Sequence, residues 1–174
     1  MKRFVISLMA ALFALTVSAQ SIPLLDKVPD HRVEFDYVYY LAKDGKPEFE
    51  VTSGKVTVED NAYAMTGLGL EVYSDGKTRV SVDRSASEVL LETVEKEDLF
   101  TNPALFIGAY RQYTDRIKVN RSGKDYLDVS LTLDEDAVCR FHLTNIRFLD
   151  RQGVSDFAFD LSSVGKDFLV TDLR

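Results

Sequence analysis

Residues 53–93 read SGKVTVEDNAYAMTGLGLEVYSDGKTRVSVDRSASEVLLET, and this is the most informative stretch of the chain. Apolar and polar residues alternate within several short segments, which is typical of strands with one buried and one wet face. Turn residues separate these segments, and the sharpest turn is Asp75-Gly76. Strands joined by tight turns pair with their neighbours, so the stretch predicts one continuous antiparallel meander.

The same alternation extends on both sides of this meander, beginning with residues 33–41. Residues 95–113 lack it and are predicted to form the main helix, with Asn102-Pro103 as its cap and first residue. Open sheets of roughly ten strands tend to curl or split, so we expect a curved antiparallel sheet with little helix. The predicted strands are 33–41, 49–58, 62–66, 69–73, 77–83, 87–94, 115–120, 125–133, 137–149, 154–160 and 167–172.

The amino terminus has the pattern of a secretory signal peptide. Lys2 and Arg3 precede an uncharged apolar run over residues 4–17, and small residues follow up to Ala19. We expect cleavage after Ala19 and export to the periplasm. The remaining 174 − 19 = 155 residues, 20–174, are predicted to form a single domain, because no low-complexity linker divides them.

The charge and cysteine content restrict the possible partners. The net charge of −7 includes two positive charges in the predicted signal, so residues 20–174 carry −7 − 2 = −9. Such a surface repels nucleic acid and anionic lipid headgroups, so we expect no nucleic-acid binding. The apolar run of the predicted signal is shorter than the roughly 20 residues needed to span a bilayer, so we expect no stable membrane insertion. Cys139 is the only cysteine, so it makes no internal disulfide and is interpreted as a small buried hydrophobe.

The sequence contains no motif typical of an enzyme or a metal site. His31 and His142 are not in metal-ligand spacing, no Ser lies in a GxSxG elbow, and Cys139 has no CxxC partner. We therefore predict no catalytic residues, no metal, no cofactor and no enzymatic activity. Acidic groups fall in predicted turns, where solvated acids are expected: Glu59-Asp60, Glu95 with Glu97, and Asp134-Glu135-Asp136.

Several short motifs resemble the periplasmic carrier family for outer-membrane lipoproteins, the LolA-like proteins. The resemblance covers most of residues 20–174 in the same order, and the SDGKT block is its most specific part. The matching segments are Ser53-Gly54-Lys55-Val56, Tyr63-Ala64-Met65, Val72-Tyr73-Ser74-Asp75-Gly76-Lys77-Thr78, Asp156-Phe157-Ala158-Phe159-Asp160 and Gly165-Lys166-Asp167-Phe168-Leu169-Val170.

The resemblance implies a mainly β fold, an incomplete, half-open antiparallel β-barrel with a short helical lid or plug. It also implies an apolar cavity for lipoprotein acyl chains or another lipid, with an inner-membrane lipoprotein-releasing transporter and an outer-membrane acceptor as partners. The family's latch arginine has no counterpart, because Glu59, Asp60 and Asn61 occupy the matching positions. The family's amino-terminal helix is reduced to residues 22–30, which include Pro23 and Pro29.

The candidate cavity-lining residues are apolar residues of the predicted sheet and helix, and ordinary core packing is the more frequent role for residues with this pattern. They are Phe35, Tyr37, Tyr39, Met65, Leu70, Val72, Val80, Val89, Leu91, Leu105 and Phe106. The first hypothesis is a soluble periplasmic carrier that shields acyl chains. The second is an envelope protein-interaction or sensing domain on the same fold without a lipid. A hydrolase of envelope glycans is disfavoured by the missing catalytic groups.

Overall fold

The computed structural model describes residues 22–94, 102–134 and 137–174. The predicted signal peptide, residues 1–19, lies outside the described residues, and so does the 95–101 part of the predicted helix. The acidic residues Glu95, Glu97, Glu135 and Asp136 also lie outside them.

Ten strands of the described chain form one open sheet that is not closed into a barrel. Their order across the sheet is β10-β6-β5-β4-β3-β2-β1-β9-β8-β7. The predicted mainly β fold class is therefore confirmed. The strands are β1 Arg32–Lys43, β2 Phe49–Glu59, β3 Ala62–Gly67, β4 Leu70–Ser74, β5 Thr78–Asp83, β6 Glu88–Thr93, β7 Ile117–Ser122, β8 Leu127–Asp134, β9 Ala137–Leu149 and β10 Leu169–Asp172.

The predicted meander is confirmed, because β2 to β6 pair consecutively and antiparallel. One pairing differs from the prediction: β10 pairs with β6 in parallel. The prediction of a wholly antiparallel sheet is wrong at this edge. A tight turn forces neighbours to run antiparallel, but the long connection before β10 crosses the sheet and returns in the direction of β6.

The strand predicted over 154–160 is wrong. This segment contains a 3₁₀ helix, Val154–Phe157, and a second one follows at Leu161–Ser163. Phe157 is buried and the Phe159 ring packs against Tyr73. The alternating apolar residues of this segment therefore pack onto one face of the sheet, and within the described residues the segment does not pair with a neighbouring strand.

The helix predicted over 95–113 is shorter than expected in the described residues. It forms α1, Pro103–Ala109, followed by a 3₁₀ turn at Tyr110–Tyr113. The predicted cap is confirmed, because Asn102 Oδ1 accepts hydrogen bonds from the Ala104 and Leu105 amides at 2.9 and 3.4 Å. The predicted short amino-terminal helix is a 3₁₀ helix at Leu25–Asp30.

The main core lies between the sheet and these helices. We call the covered side the helix face; it carries Phe35, Tyr37 and Tyr39 of β1, and α1 packs on it through Phe106. The ring of Phe141, on β9, stacks against the rings of both Tyr39 and Phe106, and in each pair the ring centroids are 5.2 Å apart. Cys139 is fully buried in this core, as predicted.

A second core lies on the other side of the sheet, which we call the opposite face. It consists of Val80, Val82, Val89 and Leu91, with Tyr73, Phe159, Val164 and Phe168 packed against it. Register places these residues there: Tyr73 is paired with Val80, whereas its neighbour Val72 is paired with Met65 and Ser81 on the helix face. The chain after β9 thus covers one end of the sheet from the side that faces away from α1.

Candidate functional site

An apolar groove of about 460 Å³ opens on the helix face, next to the start of α1. Strands β1 to β5 form its walls, and most of the lining side chains are apolar. The groove is lined by Tyr39, Leu41, Val51, Thr52, Met65, Leu68, Val72, Arg79, Ser81 and Asn102. This arrangement suits an apolar ligand with few polar groups.

The groove begins where the packing of α1 ends. Phe106, 2% exposed, fills the space over Phe141, and Tyr39 stands between this stack and the groove. Beyond Tyr39, Met65 and Val72 are only partly buried. Burial raises the pKa of Tyr39 to about 12, with a smaller contribution from Cys139, so its hydroxyl stays protonated. The side chain that separates the groove from the main core, Tyr39, is therefore an uncharged aromatic ring.

Two glycines bring β2, β3 and Tyr37 into close contact beneath the groove. The Tyr37 hydroxyl donates a hydrogen bond to the Thr66 carbonyl oxygen at 3.0 Å. A Cβ at Gly54 would lie 1.9 Å from that same oxygen, and a Cβ at Gly67 would lie 2.3 Å from the Tyr37 hydroxyl. These positions have no room for a side chain, so the two glycines fix the spacing of the groove floor.

Large apolar side chains are exposed at the rim. Leu68, in the turn between β3 and β4, is 71% exposed and has φ 53°, a left-handed conformation that is unusual for leucine. Its amide donates to the Thr52 hydroxyl at 3.0 Å, which fixes the turn against β2. Phe49, paired with Leu41 at the end of β1, is 55% exposed. The groove therefore opens to solvent between apolar side chains.

The polar part of the groove is contributed by β5. Arg79 Nη2 lies 3.1 Å from Glu92 Oε2, and both side chains are partly buried. Ser81 lies beside it on the same face. Because the guanidinium is already paired with a carboxylate, this region is polar without a net charge, and the apolar character of the groove is preserved.

The predicted cavity-lining residues divide into three groups. Tyr39, Met65 and Val72 line the groove, and Leu70 lies on the same face of β4. Phe35, Tyr37 and Phe106 are buried in the main core, and Leu105 packs against it. Val80, Val89 and Leu91 lie on the opposite face. The prediction combined residues from both faces, because alternation identifies the buried side of each strand separately and does not relate one strand to another.

Sequence reasoning did not find Leu41, Val51 and Leu68 as groove residues. Leu68 had a usable signal, since a large apolar residue between Gly67 and Gly69 is unexpected in a turn. Leu41 and Val51 lie near a register shift between β1 and β2. For that reason, simple alternation could not show on which face of the sheet these two side chains lie.

The segment after β9 is anchored by a buried ion cluster that the sequence did not predict. Glu59, expected as a solvated acid, is 1% exposed. Its carboxylate accepts hydrogen bonds from Arg32 Nε at 3.0 Å and from the Gln152 and Gly153 amides at 3.1 and 2.9 Å. Burial raises the pKa of Glu59, but these donors together lower it more, so its pKa lies below the usual range. Arg32 also lies over the Phe157 ring, 4.9 Å from its centroid.

In the ranges that the structure describes, no three His, Cys, Asp or Glu side chains come together in a way that could hold a metal ion. No helix among the described residues has the length and apolar character needed to cross a membrane.

No protein-family model and no curated protein matches the chain. Among solved structures, it is similar to a LolA superfamily protein from Nitrosomonas europaea, with 11% identity, a TM-score of 0.46, and coverage of 79% of this chain and 95% of that one. It is also similar to an uncharacterized conserved protein from Thermus thermophilus, with 7% identity, a TM-score of 0.46, and coverage of 86% and 96%.

Proposed function

We propose that this protein is a periplasmic carrier that holds the acyl chains of outer-membrane lipoproteins, or a related lipid, in the groove on the helix face. The observation that supports the proposal is the groove itself. Its volume of about 460 Å³ lies within the usual range for ligand sites, roughly 300–1,000 Å³, and its walls are largely apolar. The proposed role is transfer, without catalysis, from an inner-membrane lipoprotein-releasing transporter to an outer-membrane acceptor.

The energetics of acyl chains explain why such a carrier needs a groove. A chain of about 15 methylenes costs on the order of 12 kcal/mol to leave in water, at ~0.8 kcal/mol per methylene. A carrier must shield most of that surface and still release it. A groove that is open along the side of Leu68 allows the lipid to leave without unfolding the main core.

The test is lipid uptake by protein purified without detergent. Native mass spectrometry followed by lipid extraction should detect bound acyl chains, and a fluorescent fatty acid should bind saturably. Absence of both would contradict the proposal.

A matched pair of variants locates the site. Val72→Asp places a carboxylate in the groove, whereas Val138→Asp places one on the opposite face of β9, at a residue that is 39% exposed. We expect Val72→Asp to abolish uptake and Val138→Asp to leave it unchanged. Equal behaviour of the two variants would mean that the lipid binds elsewhere.

A protein-interaction or sensing domain without a lipid is the second candidate. The contact of both Phe106 and Tyr39 with Phe141 supports it, because the protein's own side chains fill this part of the helix face. Capture of an envelope protein by lipid-free protein, in a manner that Val72→Asp does not affect, would favour this second function.

A further inference from the structure

A second pocket, of about 360 Å³, lies on the opposite face at the other end of the sheet. The turn between β7 and β8 forms one wall, with Asp125 and Tyr126, and β9 forms the other, with Thr144 and Asn145. His142 and Asp128 lie between these walls. None of these residues lines the acyl-chain groove, so the pocket is a separate site.

The walls are held by backbone contacts. The pairing of β9 with β1 shifts register beside Asn145, which has φ 54°, and the Ile146 amide donates to the Asp125 carbonyl at 2.9 Å. This bond joins the β7–β8 turn to β9. A Cβ at Gly123 would lie 2.2 Å from the Tyr126 ring, so the ring packs directly on the glycine. The position of the aromatic wall is therefore determined by the fold.

The imidazole of His142 is oriented by a carboxylate. Asp128, whose side chain is 9% exposed, accepts hydrogen bonds from Asn120 Nδ2 at 2.8 Å and Arg140 Nη1 at 2.9 Å, and lies 3.2 Å from His142 Nδ1. Because Nδ1 donates to this carboxylate, the other ring nitrogen, Nε2, is available to a ligand. It makes no hydrogen bond to any part of the chain that the structure describes.

The pocket also contains an uncommitted cation. Arg121 is exposed, lines the pocket, and forms no hydrogen bond or ion pair with the described residues. Asp128 is paired with Arg140, which also pairs with Glu48 at 2.6 Å, and the carboxylate of Asp125 remains in the wall. One anionic group can therefore be accommodated at Arg121, whereas a polyanion would be repelled by Asp125.

We propose that this pocket binds a small organic anion, with its carboxylate or phosphate group at Arg121 and, where both ring nitrogens carry a proton, at His142 Nε2–H, and with its apolar body against the Tyr126 ring. The guanidinium supplies planar paired donors for such an oxyanion, and the doubly protonated imidazole supplies one further N–H donor in a direction fixed by Asp128. The apolar body gains contact with a ring that is already ordered. This inference is independent of acyl-chain binding.

Titration with matched probes tests the pocket. Benzoate and phenyl phosphate carry the two candidate anionic groups, and benzyl alcohol is the neutral control. We expect saturable binding of at least one anion, with a shift of the His142 ring signals in NMR spectra, and much weaker binding of the alcohol. The tighter of the two anions identifies the preferred group. Failure of both anions to bind, or equal binding of the alcohol, would overturn the proposal.

Two glutamine variants locate the binding. Arg121→Gln should weaken the tighter anion about tenfold, as expected for loss of a charged hydrogen bond. Lys118→Gln removes the same charge from an exposed residue of the same strand outside the pocket, and should leave affinity unchanged. Unfolding curves measured on the same samples show whether each variant is folded. Equal affinities in folded Arg121→Gln and Lys118→Gln would overturn the proposal.

Discussion

The two ends of the sheet bury opposite faces. From β7 to β2 the helix face is buried, with α1 and Phe106 over Phe141. At β5 and β6 the opposite face is buried instead, because Phe159 and Phe168 pack against the core that contains Val80 and Leu91. The groove lies between these ends, where the helices no longer cover the helix face. A single sheet can thus combine two sealed regions with one apolar region that is left open.

The largest expected effect concerns the end that the helices cover. Phe106→Ala should lower the free energy of unfolding by about 3–5 kcal/mol, because it leaves a cavity over Phe141. Leu105→Ala, at the neighbouring half-buried position, should cost clearly less. Urea denaturation monitored by circular dichroism measures both. Equal losses would show that Phe106 is not the main contact of α1 with the sheet.

The next largest effect concerns Glu59, which anchors the segment after β9 that covers the opposite face of the sheet. Glu59→Gln should cost about 3 kcal/mol near neutral pH, because Arg32 loses its buried counter-charge and keeps only the half-exposed Asp156. The pKa of Glu59 is lower in the folded protein than in the unfolded chain. This contribution to stability is therefore complete above the unfolded pKa and is lost as pH falls through the folded pKa.

The pH dependence distinguishes a charge effect from a packing effect. Unfolding midpoints of wild type and Glu59→Gln should converge as the solution is acidified below the ordinary glutamate range. Glu88→Gln, at an exposed residue of β6, is the control and should follow wild type at every pH. A constant difference between Glu59→Gln and wild type across this range would argue against the charge effect.

A smaller effect is expected at the floor of the groove. Gly54→Ala should destabilise by about 1–3 kcal/mol, because its Cβ would overlap the Thr66 carbonyl and separate β2 from β3. Gly108→Ala, within helix α1, should instead stabilise by about 0.5–1 kcal/mol, since its Cβ would lie at an ordinary contact distance, 3.6 Å, from the Asp60 carbonyl oxygen. Thermal unfolding of the two variants should therefore shift in opposite directions, and a common sign would contradict this interpretation of the floor.

The smallest effect on stability is expected at the rim. Leu68→Gly should stabilise the fold by up to about 1 kcal/mol, because glycine adopts the positive φ without strain. It should also weaken binding of a fluorescent fatty acid about threefold to tenfold through lost apolar contact. Ser87→Gly, at φ 56° in a turn away from the groove, should change stability alone. Unchanged binding by Leu68→Gly would exclude this rim from the site.

The parts of the fold that were predicted correctly depend on local signals. The Asp75-Gly76 turn and the Asn102-Pro103 helix start are encoded in adjacent residues, and both are present. The assignment of Val80, Val89 and Leu91 to the same cavity as Tyr39 was wrong about the face. The strands are identified by their own pattern, but their shared faces depend on register and on which segment packs from outside.

The sites depend on residues that are distant in sequence. Glu59 was interpreted as a turn acid because its partners, Arg32 and the amides of Gln152 and Gly153, are far along the chain. His142 and Asp128 are brought together by the pairing of β8 with β9. The ligand role of the groove residues stays a prediction, since apolar lining and core packing have the same sequence pattern.

The parallel pairing of β10 has a consequence for the order of folding. Strands β2 to β6 make contacts between neighbours in sequence, so they can assemble early, whereas 169 − 93 − 1 = 75 residues separate the end of β6 from its partner. Closing such a long loop is entropically slow compared with closing a hairpin. We therefore expect the outer edge of β6 to gain its partner late in folding, after the meander has formed.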